Sequence, residues 1–129
     1  MAQTQVTLAL DSGALIAAEK DPRVEAVLRK WLREGARFLI PAPAIAEIIR
    51  GGPRDACANR LIAAVNQIAQ TSEAIARDAG ARLGAKKSSE TVDALIVATA
   101  EAHLATDILT TDPVDIRRLA SDKVNVIPL

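Results

Sequence analysis

Short apolar runs alternate with amphipathic stretches along the whole chain. Thr7 to Leu10 reads as a short buried strand, followed by a Ser12-Gly13 turn in which Ser12 serves as helix N-cap and by a short helix over Ala14 to Glu19. Asp21-Pro22 opens a second helix. In it Val24, Val27, Leu28, Trp31 and Leu32 recur at helical spacing, while Arg23, Glu25, Arg29, Lys30 and Arg33 take the opposite face, until Gly35 stops it. Phe38-Leu39-Ile40 forms a second strand ended by Pro41, and Pro43 starts a helix that Gly51-Gly52-Pro53 terminates. Asp55 to about Ala64 is helical, and Val65 to Ala69 makes a short strand. Thr71 or Ser72 caps a helix bearing Ile75, Ala79 and Leu83, which ends near Gly84; Lys86 to Glu90 is a polar loop. A helix around Asp93 to Ala102, a strand over Ile108 to Thr110, a helix over Pro113 to Ala120 and a strand over Val124 to Ile127 complete the chain.

Strands that are apolar throughout, separated by helices, predict an α/β sandwich with a mainly parallel sheet, whose site lies beyond the carboxyl ends of the strands. With 129 residues, no internal repeat and no low-complexity linker, residues 1–129 are expected to form a single domain. Aromatic residues make up only 2% of the chain, so the core must be aliphatic, with alanines letting helices approach closely. Lys plus Arg and Asp plus Glu both number 16. This balance excludes a strongly basic nucleic-acid coat protein, and offers little charge repulsion against self-association, so a homodimer is expected. One cysteine, Cys57, excludes an intrachain disulfide; with no signal-peptide pattern and no apolar run near the roughly 20 residues of a membrane span, a cytoplasmic protein is expected.

Four carboxylates change the picture. Asp11 ends the first apolar strand, Glu47 interrupts Ala44-Ile45-Ala46-Glu47-Ile48-Ile49, Asp93 opens Val92-Asp93-Ala94-Leu95-Ile96-Val97, and Asp112 closes Ile108-Leu109-Thr110-Thr111. A carboxylate is costly to take out of water unless it is paired, protonated or bound to metal. Asp11 and Asp112 fall just past the ends of strands, and Glu47 and Asp93 in early turns of helices that start from the same edge. Grouped carboxylates repel unless a divalent cation joins them, and a small set of hard oxygen donors suits Mg²⁺ or Mn²⁺. His103 is the only histidine, which excludes the common His/Cys zinc sites. The chemistry indicated is metal-dependent hydrolysis of a phosphate ester.

The segments Leu8-Ala9-Leu10-Asp11-Ser12-Gly13, Ala46-Glu47, Val92-Asp93-Ala94-Leu95-Ile96-Val97-Ala98-Thr99-Ala100 and Leu109-Thr110-Thr111-Asp112-Pro113, in this order, resemble PIN domains, and among them the small VapC-type toxins of bacterial type II toxin–antitoxin modules. The resemblance spans essentially the whole chain and implies a three-layer α/β/α sandwich. It implies Asp11, Asp93 and Asp112 as ligands of Mg²⁺ or Mn²⁺, with Glu47 orienting water or a second metal. Asp115 supplements the site, while Ser12 and Thr110 hydrogen-bond the acids or substrate. The implied activity is that of an endoribonuclease cutting RNA, restrained by a cognate antitoxin protein.

Each residue also has a plainer reading. Asp11 can cap the helix after the first strand, although Ser12 beside it is the better cap; Glu47 can pair with Arg50 at i,i+3; Asp93 can be a first-turn acid favoured by the helix dipole; Asp112 before Pro113 is a turn and N-cap signal. For Asp93 the neighbours at i+3, i+4 and i+7 are Ile96, Val97 and Ala100, which places it on the buried face. Arg50 and Arg54, with Arg60, Lys86 and Lys87, are candidate phosphate contacts, though surface cations are common. His103 is expected at the surface, Cys57 to be incidental, and Trp31 in the core or a dimer interface. Two other functions compete: a PIN-like module that binds RNA or protein without cutting, and a receiver or dehalogenase-like phosphatase. The latter would need paired acids after the first strand or Asp-x-Asp, where this chain has Asp11-Ser12-Gly13.

Overall fold

Leu8, Ala9, Leu39, Ile40, Ile108 and Leu109 are almost wholly removed from solvent. Strands with no wet face require a layer on each side, and the computed structural model supplies both. It describes residues 5–129; Met1 to Thr4, the start of the expected domain, lie outside the described residues. The elements are β1 (Thr7–Leu10), α1 (Ser12–Lys20), α2 (Pro22–Arg33), β2 (Arg37–Pro41), α3 (Ala42–Ile48), a 3₁₀ turn (Pro53–Asp55), α4 (Ala56–Ala64), β3 (Gln67–Ala69), α5 (Glu73–Lys86), α6 (Thr91–Ala102), β4 (Asp107–Thr110), α7 (Pro113–Leu119) and β5 (Asn125–Pro128). Every element expected from the sequence is present in the expected order. No helix among the described residues is long and apolar enough to cross a membrane.

The five strands form one sheet in the order β3-β2-β1-β4-β5, and every neighbouring pair is parallel. From β1 the chain winds outward through β2 to β3, then returns to lay β4 and β5 on the other side. The winding direction therefore reverses between β1 and β4, whose registered pairs run from Leu8 with Asp107 to Leu10 with Leu109. Such a reversal opens a crevice beyond the strand ends, the usual place for a ligand in an open parallel sheet.

Strand alternation sorts the core into two clusters. Leu8, Leu10, Phe38, Ile40 and Leu109 pack with Ala14, Leu15, Ala18, Leu28 and Ala44 of α1 to α3. Ala9, Leu39 and Ile108 pack with Ala79, Val97, Ala98, Ile116 and Leu119 of α5 to α7. Each fully buried Leu or Ile contributes about 2 kcal/mol, so burial rather than any polar contact supplies most of the stability. The apolar stripe expected on α2 is only partly covered: Leu28 is buried, but Val27 and Leu32 are 43% and 51% exposed. Leu32 borders an apolar hollow of about 200 Å³ lined also by Leu15, Leu28, Leu61 and Val65.

One charged cluster ties the second layer together. Arg82 on α5 bonds Asp78 and reaches Glu101 on α6 and the Leu119 carbonyl at the end of α7, at 3.1 Å. Glu101 also accepts from the Ser121 amide at 3.0 Å and from its hydroxyl. Burial pushes the Glu101 carboxyl up, but hydrogen bonds from Arg82 and Ser121 outweigh it and hold the group below its ordinary value. Its contribution to stability is therefore full above the unfolded carboxyl pKa and is lost as pH falls through the lower, folded one. Removing one member of such a pair leaves the other charged and largely desolvated. Glu101→Ala is expected to cost about 3 kcal/mol in urea unfolding at neutral pH, and Glu101→Gln, which can still bond Ser121 and Arg82, clearly less.

Candidate active site

Asp11 lies one residue beyond β1 and is only 5% exposed. Its backbone is extended, and its Oδ1 accepts the Ala14 amide at 2.7 Å, so Asp11 itself caps α1. This corrects the expectation that Ser12 is the cap and moves the helix start to Ser12. The reason is geometric: the strand delivers Asp11, not Ser12, at the point where the chain turns from extended to helical. The Ser12 hydroxyl instead donates to Glu47 Oε1 at 2.7 Å, linking α1 to α3.

Thr110, at the end of β4, is fully buried. Its hydroxyl oxygen accepts the Asp112 amide at 2.9 Å, and its hydroxyl also bonds the Asp11 carboxylate. One side chain thus joins the segments that carry two of the acids. Asp112 stands at the N-cap position of α7 but makes no side-chain capping bond, so the plain N-cap reading does not describe it. Asp93 is in the first turn of α6, half-buried, with Ala94, Ile96 and Val97 buried beside it.

Glu47 makes no ion pair with Arg50. The Arg50 guanidinium bonds the carbonyls of Ala46, Ile49 and Glu47 at 3.0, 2.9 and 3.0 Å, satisfying orphan acceptors at the end of α3. The exposed Arg50 guanidinium is thus held at the end of α3, while Arg54 is exposed with no side-chain hydrogen bond among the described residues. Asp55, read from the sequence only as a helix start, closes the intervening loop. Its buried carboxylate accepts the amides of Arg50, Gly51 and Gly52 at 3.1, 2.6 and 3.2 Å, which hold it below the usual carboxylate range. His103 is half-buried, bonded to Gln67 and to the Gln70 carbonyl at 2.9 Å, far from a free surface imidazole.

The acids interact electrically. Burial raises the Asp11 carboxyl; bonds from Thr110 and Ala14 oppose this, and the charges of Glu47 and Asp112 add to it. Asp93 is raised to about 6, first by burial and then by Glu47, Glu90, Asp11 and Asp112. Asp112 is raised by loss of water and by Asp115, with which it shares a hydrogen bond. No lysine or arginine is among the causes of these three shifts. Glu90 escaped the sequence reading, which left it in a polar loop; its position three residues before Asp93, on the same helical face, was the available signal.

The donor set, carboxylate oxygens without a protein cation between them, has the chemistry that Mg²⁺ or Mn²⁺ requires. Among the described residues, however, no three Asp, Glu, His or Cys side chains already stand together as one ligand group. Mutual repulsion keeps such carboxylates apart, and those of Asp11 and Glu47 are meanwhile engaged by hydroxyl and amide donors. The apolar hollow beside α2 contains none of these acids and is not the reacting site.

The family model of the PIN domain matches residues 8–121, and the chain belongs to this family. Among solved structures it is similar to a chain of VapBC2 from Rickettsia felis bound to a DNA fragment from their promoter, with a TM-score of 0.77 and 14% identity over 96% of this chain and 99% of that one. It is also similar to FitAB bound to IR36 DNA, with a TM-score of 0.64 and 20% identity over 94% of each chain. FitAcB from Neisseria gonorrhoeae gives a TM-score of 0.62 and 21% identity over 93% of this chain and 96% of that one. At these identities the likeness establishes the fold. No curated protein matches the sequence significantly.

A carboxyl raised to about 6 in the folded state favours folding while it is protonated, and that favour disappears as pH rises from the unfolded value towards 6. Metal-free Asp93→Asn is therefore expected to be more stable than the parent at pH 7.5. The gain is about 1 kcal/mol after allowance for solvent screening of a half-exposed group, and it vanishes at pH 3.5. Thermal unfolding at both pH values in EDTA measures this; an equal gain at both would remove the electrostatic cause.

Proposed function

We propose that this PIN-domain protein is a divalent-metal-dependent endoribonuclease of the VapC type, the toxin member of a toxin–antitoxin pair. The observation that supports the reading is electrical: Asp93, on α6, feels the charges of Glu47, Asp11 and Asp112, which are carried by three other segments. Asp11, Asp93 and Asp112 would hold Mg²⁺ or Mn²⁺, which when bound neutralises the acids, polarises a phosphodiester oxygen and makes water a better nucleophile. Thr110 fixes Asp11 relative to Asp112, and Asp115 keeps a second carboxyl beside Asp112. Glu47, anchored through Oε1 to Ser12, leaves Oε2 to orient the attacking water and accept its proton. Water adds to phosphorus, the bond to the 3′ oxygen breaks, and that oxygen takes up a proton. The products carry a 5′-phosphate and a 3′-hydroxyl.

An antitoxin partner follows from the resemblance to VapC-type toxins. Of the surfaces described, the open stripe of α2 and the adjoining apolar hollow have the character of a protein-binding face. The non-cleaving alternative draws support from one observation, that the acids do not already form a three-membered ligand group.

Purified protein is expected to cut structured RNA with Mg²⁺ or Mn²⁺, to stop in EDTA, and to lose roughly a hundredfold or more of its activity in Asp11→Asn, read by gel analysis of end-labelled RNA. Metal bound with no RNA cut by the antitoxin-free protein would favour the binding module. Unchanged cutting by Asp11→Asn would remove Asp11 from the metal site.

A further inference from the structure

Gly13 lies in the first turn of α1, two residues after Asp11. A Cβ built on it would collide with Oγ1 of Thr111 and lie 3.5 Å from Asp11 Oδ1. Glycine ordinarily weakens a helix by about 1 kcal/mol relative to alanine, and its φ here is not one that requires glycine. What residue 13 supplies is room. The space left by its missing side chain is taken by the hydroxyl of Thr111, so that Thr111, next in sequence to Asp112, and the Asp11 carboxylate both flank residue 13.

The three hydroxyls on the segments that carry Asp11 and Asp112 are not equivalent. That of Ser12 is committed to Glu47, and that of Thr110 is buried between Asp11 and the Asp112 amide. The Thr111 side chain is exposed, and its hydroxyl has no hydrogen-bond partner among the described residues. A crevice lined by carboxylates presents acceptors to a phosphodiester that is itself an acceptor and an anion. A neutral donor at its mouth answers a need that no further acid can meet.

Resting on the nuclease reading above, we propose that Thr111 is a substrate-positioning residue whose hydroxyl, lodged over Gly13, donates to a non-bridging oxygen of the bound RNA phosphate. Gly13 is the positioning residue that makes this placement possible. Thr111→Val keeps the shape over Gly13 and removes the donor; Thr111→Ser keeps the donor; Gly13→Ala displaces it.

The test measures binding of a short fluorescein-labelled single-stranded RNA by anisotropy with Ca²⁺ in place of the activating metal. Steady-state cleavage with Mn²⁺, Mn²⁺ affinity by calorimetry and thermal unfolding run beside it. Loss of one hydrogen bond to a charged group predicts roughly ten- to hundredfold weaker RNA binding by Thr111→Val, appearing in KM more than in kcat. Mn²⁺ affinity and melting temperature should stay at parental values, and Thr111→Ser should recover most of the loss. Gly13→Ala should weaken RNA binding similarly, and the double variant Gly13→Ala/Thr111→Val should lose little more than either single one, since both remove the same contact. Parental RNA binding by Thr111→Val, with the parent cutting RNA, overturns this inference alone, as does a loss matched by weaker Mn²⁺ binding or a lower melting temperature. A parent that binds Mn²⁺ but neither binds nor cuts RNA overturns the nuclease reading and this inference together.

Discussion

Carboxylates of like charge, partly stripped of water and unneutralised by any lysine or arginine among the described residues, set the terms on which this structure holds together. Asp11 and Asp93 are both raised by burial first, and the charges of Glu47 and Asp112 add to the rise in each. Each therefore opposes folding at neutral pH in the absence of a counter-charge. The aliphatic core on the two faces of the sheet outweighs that opposition, and the sheet topology decides where it is concentrated. On the proposed function, this opposition is what a bound cation would relieve, the compromise expected of a site shaped for chemistry rather than for packing.

Neutral donors and helix ends make the compromise workable. Asp11 at the N-cap of α1, Asp93 in the first turn of α6 and Asp112 at the head of α7 each meet the positive end of a helix dipole. Thr110 and Ser12 add hydroxyl bonds that fix two carboxylates without neutralising them. Away from the site, full charges are paired in the ordinary way. Asp55 gathers three loop amides behind α3, and Arg82 with Glu101 clamps α5, α6 and the end of α7. The contrast is one of charge: Glu101 meets a protein cation in Arg82, whereas no lysine or arginine is among the causes of the shifts at Asp11, Asp93 and Asp112.

Such a division also bears on the apolar surface. The stripe on α2 is more hydrophobic than one neighbouring helix can cover, leaving Val27 and Leu32 exposed, with Leu32 beside an open apolar hollow that none of the four acids lines. On the proposed function, the surface that acts on a phosphodiester and the surface that meets a protein are built on different terms. One is set by charge and the other by shape and area.

Element order and the parallel sheet were legible in the sequence because buried parallel strands write continuous apolar runs, and the four acids drew notice there because a carboxylate inside such a run has few innocent explanations. Even the short strand β3 followed from its apolar residues. The sequence could not decide between adjacent cap candidates, and tertiary placement made Asp11 the cap and turned Ser12 towards Glu47. Nor could it tell that Arg50 closes its own helix, that Asp55 latches a loop, or that Glu90 adds its charge to Asp93. Those outcomes depend on which backbone groups are left unpaired, a property of the folded ends of elements rather than of any local pattern. Gly13 marks the same boundary most clearly: on the page it reads as a turn residue, and only the approach of Thr111, just past β4 and remote in sequence, shows that its missing side chain is the point.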